Sequence, residues 1–123
     1  MYEDFALFKP AMTVKLKDVM VMVEAIAAKT DSQISQNENT VILENGEGQL
    51  KLALADGANV LEESTELYDL FEVPCEGCIS RLEFSGHDPE MALINDYNLL
   101  LARLNKNENV ILFDPIEGAL LEP

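Results

Sequence analysis

Two cysteines and one histidine are the residues best equipped for chemistry. Cys75 and Cys78 stand in Cys-Glu-Gly-Cys, and His87 follows nine residues later. Such a pair can supply half of a tetrahedral zinc site, but a closed site takes four ligands. His87 and a carboxylate such as Asp88 would have to complete the set. A redox pair instead wants its first cysteine at a helix N-terminus, where the dipole lowers the thiol pKa. Here a strand is predicted after the pair, and neighbouring carboxylates raise a thiol pKa. The plainer reading is a turn with one cysteine partly buried. A small zinc or redox protein built on Cys75 and Cys78 is therefore kept as an alternative.

His87 has the right free pKa for a general base. Its neighbours Ser85 and Asp88 lie too close in sequence to converge on it, so it reads as a loop histidine. Carboxylates are abundant, at Glu62, Glu63, Glu66 and Asp69 among others. No calcium-loop spacing organises them. The chain has no phosphate-binding Gly loop, no G-x-S-x-G and no H-E-x-x-H. The expectation is a protein that is not an enzyme and carries neither metal nor cofactor.

The elements around these residues follow from apolar spacing. FALFK reads as a first strand stopped by Pro10. Leu16, Val19, Met20, Val23, Ile26 and Ala27 form a helical stripe, with Thr13 as N-cap. SQISQNE alternates like an edge strand. TVILEN and GQLKLALA flank a Gly-containing turn, which predicts a hairpin. A short helix is expected from Ser64, facing inward through Leu67, Leu70 and Phe71 and stopped by Pro74. CISRLEF reads as a strand. Asp88, Pro89 and Glu90 have the residue types of a helix start, ahead of the stripe Leu93, Ile94, Tyr97, Leu100, Leu101 and Leu104. VILF is a buried-type strand, and ALLEP reads as a final edge strand. The order predicts one α+β domain over 1–123. It has a mixed or antiparallel sheet of about 4–6 strands, with two main helices and one short helix packed mainly on one face.

Charge narrows the partner class. The 123 residues carry 23 acids and 8 bases, a net of −15. Residues 1–55 hold eight acids and five bases; residues 56–123 hold fifteen and three. From Asp56 to Cys78 there is no Lys or Arg. Nucleic acid and anionic membrane are repelled by such a field, and basic proteins are attracted. No apolar run reaches membrane-spanning length. The N-terminus carries acids where a signal peptide carries bases, so a cytoplasmic chain is expected. Tyr68 sits in sequence among Glu66, Asp69 and Glu72, as an interface aromatic would.

A small acidic α+β chain ending in a Leu-rich helix, a strand and F-D-P-x-E-G (Phe113 to Gly118) resembles bacterial immunity proteins of polymorphic or contact-dependent toxin systems. The resemblance covers roughly Asp88 to Leu121 and the overall charge. It implies tight binding to one toxin domain, often a nuclease with a basic cleft. It assigns no individual residue. The charge itself points to Glu62, Glu63, Glu66, Tyr68, Asp69, Glu72 and Glu76 as the partner-binding set. Alternatives are a nucleic-acid-mimicking anti-defence inhibitor and an acidic secretion chaperone; monomer and homodimer both stay open.

Overall fold

FALF is buried at three of its four positions because it forms the strand with neighbours on both sides at the sheet's heart. The computed structural model describes residues 2–72 and 77–121. The elements are β1 (Phe5–Phe8), α1 (Leu16–Thr30), β2 (Gln33–Asn37), β3 (Thr40–Asn45), β4 (Gly48–Asp56), α2 (Ala58–Phe71), β5 (Ser80–His87), α3 (Ile94–Asn105), β6 (Val110–Asp114) and β7 (Ala119–Leu120). They build one α+β unit. Its seven strands run in the order β2-β3-β4-β5-β1-β6-β7, every neighbouring pair antiparallel. The count of seven exceeds the expected 4–6, with β7, the edge strand read from ALLEP, only two residues long.

Alternation divides the sheet into two faces. Ala6, Phe8, Val41, Leu43, Leu50, Leu52, Leu82, Phe84 and Leu112 project to one face and join a core with α1 and α3. Leu7, Ile111 and Phe113 project to the other, where Cys78 and Leu67 of α2 join them. So α1 and α3 share one face, and α2 covers part of the opposite one.

The helix starts differ from the residue-type signals. α1 is capped at Lys15 rather than Thr13, because the Asp18 carboxylate reaches back to accept the Lys15 N–H at 2.8 Å. α2 begins at Ala58, well before Ser64, with Gly57 (φ 106°) making the sharp entry. Its buried residues are Val60 and Ser64, with Leu67 partly covered, spaced i, i+4, i+7. Leu70 lies on the flank instead and is 74% exposed. α3 starts at Ile94, so Asp88 is not its N-cap. The fully buried Asp88 carboxylate folds the loop before α3, accepting the Ala92 and Leu93 N–H groups at 2.9 and 2.8 Å.

Candidate acidic docking face

α2 carries the densest acids of the described residues on a helix with no base. At about 100° per residue, Glu62, Glu66 and Asp69 fall on one outward stripe, and all three are exposed. Leu61 and Tyr68, seven residues apart, lie on one flank with Glu72; Leu70 lies on the other. Tyr68 is 42% exposed and Phe71 49%. Phe71 ends the helix with its ring 6.0 Å from that of Phe113, beside the turn at Gly118. Leu120, half exposed, lies opposite Phe113 in the neighbouring strand.

The sequence-predicted residues separate into two groups. Glu62, Glu66, Tyr68, Asp69 and Glu72 are exposed on α2 or its C-cap. Glu63 does something else. Its Oε2 lies 2.7 Å from Nη1 of Arg81 beneath the helix. Arg81 also holds Glu83 through Nη2 and Nε, both at 2.9 Å, and its guanidinium sits 4.3 Å above the Phe5 ring. Glu63 is therefore spent on fastening α2 to the sheet. Glu76 lies outside the described residues, as does Cys75.

Backbone geometry adds to the negative charge at the C-terminal end of α2. The α2 N-terminus opens at Gly57, whose N–H donates to the Ile79 carbonyl at 2.9 Å and whose carbonyl accepts the Leu61 N–H at 3.1 Å. The helix closes at Glu72 in the left-handed region, its N–H donating to the Tyr68 carbonyl at 3.0 Å. The last turn of α2 holds no base, so the negative end of the dipole adds to Asp69 and Glu72.

No protein-family model, curated protein or solved structure matches this chain.

The chemical candidates are not brought together. His87 is exposed at the end of β5, opposite Gln49 of β4, and Cys78 is buried under α2. Among the described residues, no group of three or more His, Cys, Asp or Glu is placed to hold a metal, and no helix is long and apolar enough to cross a membrane. A cleft of about 440 Å³ opens between the β1–α1 loop and the start of α2. Pro10, Met12, Val14 and Ile79 wall it, with Lys9 and Asp56 at its rim.

Sequence reasoning missed Arg81, Asp88 and Asp96 as buried polar residues. Asp96 accepts the Thr30 hydroxyl at 2.5 Å and so ties α3 to the end of α1. Thr30 and Asp96 are 66 positions apart, and nothing in the local pattern of either marks the bond. Arg81 had a local signal: one base facing alternate with Glu83 on a strand after a base-free stretch.

Proposed function

We propose that this chain is an acidic binding protein that neutralises a basic protein partner, such as a nuclease toxin, as an immunity protein or inhibitor does. The observation that carries the reading is the outer surface of α2. Glu62, Glu66 and Asp69 form its crest, Tyr68 and Leu70 stand exposed on its flanks, and half-exposed Phe71 lies at its C-terminal end. A nuclease cleft is basic because it holds phosphates. Carboxylates on a raised helix steer such a surface into contact, and desolvated aromatic and aliphatic side chains then slow its release. The resemblance of the C-terminal third to immunity proteins supports the same class. The protein acts in the cytoplasm on this reading, without chemistry of its own.

The test is capture from the source cells at low and high salt, using the native chain and a variant with Glu62, Glu66 and Asp69 changed to Lys. A basic protein should be retained by the native chain, released by salt, and lost with the variant. Equal capture by both chains would overturn the reading.

A further inference from the structure

β2 is an outer strand of the sheet, and four of its five residues are exposed. Its sequence, Gln-Ile-Ser-Gln-Asn, has no charge and no proline. Its register with β3 runs from Gln33↔Glu44 to Asn37↔Thr40 without a skipped residue, so no bulge bends it away. Proteins that stay monomeric blunt such edges with charges, prolines, bulges or a covering element. β2 shows none of the first three, and the helix next to it, α1, packs on the sheet face rather than over the edge. The opposite edge is different: β7 has two residues and adjoins Asp114 and Glu117.

Charge decides what can approach. Two copies with a net charge of −15 each repel one another over most of their surface. Residues 13–37, which form α1 and β2, hold Lys15, Lys17 and Lys29 against Asp18, Glu24 and Asp31. Those three bases and three acids balance, and with Glu38 just after β2 and Glu44 opposite Gln33 the side is still far less acidic than the chain as a whole. It is also distant from α2 in the strand order, since α2 packs on the opposite face over β4 and β5.

We infer that β2 is a self-association edge, through which two copies of this chain pair antiparallel into one continuous sheet. A two-fold axis at Ser35 sets Gln33 opposite Asn37 of the second copy and Ile34 opposite Gln36, so no facing pair carries a charge. The helices match as well. Ile26 and Thr30 mark the flank of α1 that faces α3. At about 100° per residue, exposed Lys17, Glu24 and Asp31 fall on the other flank, toward the β2 edge. Rises of about 3.3 Å per strand residue and about 1.5 Å per helix residue put Glu24 alongside Ser35. Lys17 and Asp31 then lie equally far on either side of the axis. Each Lys17 faces the Asp31 of the other copy. Glu24 approaches its own copy near the axis, and Glu38, which directly follows β2, comes near Asp31 of the second copy; the two Lys17–Asp31 pairs work against these like-charge approaches.

The experiment is sedimentation equilibrium of the purified native chain, of Ser35→Lys, of Ser35→Glu, and of the two variants mixed in equal amounts. Ser35 is exposed, and circular dichroism checks that each variant keeps its fold. The native chain should sediment at twice its monomer mass, each variant at the monomer mass, and the mixture again at twice that mass. Three results each overturn the inference. One is a native chain that is monomeric up to sub-millimolar concentration. Another is a native dimer that survives Ser35→Lys. The third is a mixture that stays monomeric, which would place the axis elsewhere.

Discussion

The Tyr2 hydroxyl donates to Oδ2 of Asp88 at 2.5 Å, joining residues 86 positions apart inside the core. Burial alone would push the Asp88 carboxyl up. The Tyr2 hydroxyl and the Leu93 and Ala92 N–H groups outweigh that and hold it below the usual carboxylate range. Tyr2 is pushed far above an ordinary tyrosine, by burial first and then by its bond to Asp88. Tyr2→Phe keeps the ring against Tyr97 but removes one charge-assisted hydrogen bond, costing about 1.5–3 kcal/mol. The sign for Asp88 follows from its depressed value. Its contribution is present above the unfolded carboxylate pKa of about 3.9 and is lost as pH falls below it. Urea unfolding at pH 7 should show a lower midpoint for Tyr2→Phe, and acid unfolding should begin at a higher pH. Unchanged midpoints would show that the bond contributes nothing.

Asp4 behaves in the opposite sense. Burial first, then the charges of Asp114 and Glu3, push its carboxyl up to about 6. A raised folded value means that the native state holds this proton more tightly than the unfolded chain does. The contribution is therefore full below the unfolded carboxylate pKa and is lost as pH rises through about 6. Asp4→Asn should be more stable than the native chain at pH 7, and the difference should shrink by pH 4. Asp114→Asn, which keeps the side-chain oxygen that accepts the Ile116 N–H, should lower the Asp4 value. A proton titration followed by NMR reads it directly.

Much of this architecture was legible because period and punctuation agreed. β3 and β4 flank their Gly-containing turn as the alternation of TVILEN and GQLKLALA requires. α1 and α3 bury the stripes that their spacing defines, with Met22 added to the first. The failures have one physical cause, which is polar residues used at a distance. Asp88 has the right type for an N-cap. Tyr2, invisible to any local window, draws it into the core, and the helix starts later. α2 hides its inward face because one of the three positions is Ser64. A serine in the buried row made Leu70 look like part of the inward side, whereas Phe71, seven residues after Ser64, does lie on it and packs toward Phe113. The acids of α2 were legible as charge, but Glu63 and Glu66 are three residues apart and indistinguishable in sequence. Their different roles depend on Arg81, which reaches α2 from β5.

Gly86 shows where backbone alone sets the limit. It lies opposite Leu50 in the β4–β5 ladder with φ 151°, and an added Cβ would run into the Gln49 carbonyl of the neighbouring strand. That obstacle is main chain held in the β3–β4–β5 ladder, so it cannot swing aside as a side chain would. Gly86→Ala should cost on the order of 3 kcal/mol, the scale of overpacking a filled interior. Thermal unfolding should show a lower midpoint. Gly46→Ala is the control: its φ of 58° is also strained, but nothing lies within 4 Å of an added Cβ, so it should cost less.

Arg81 allows folding and docking to be separated on a single helix. Its side chain is 8% exposed, clamped by Glu63 and Glu83 and stacked on Phe5. Arg81→Met leaves two carboxylates without their cation and should destabilise the protein by about 3 kcal/mol, at the low end for removing one member of a buried pair because Glu63 is half exposed. Hydrogen exchange should quicken first in α2, which buries few apolar side chains besides. Glu63→Gln should loosen the same helix by a smaller amount. It should leave the rate of association with a basic partner almost unchanged, since its charge already faces Arg81. Glu66→Gln with Asp69→Asn should do the reverse, preserving stability while slowing association and flattening its salt dependence, within the roughly ten- to thousand-fold range that steering commands. Stopped-flow association at two ionic strengths, paired with urea midpoints, distinguishes them. If Glu63→Gln slows association as much as the Glu66/Asp69 pair does, the division of α2 into an inner fastening and an outer docking stripe is wrong.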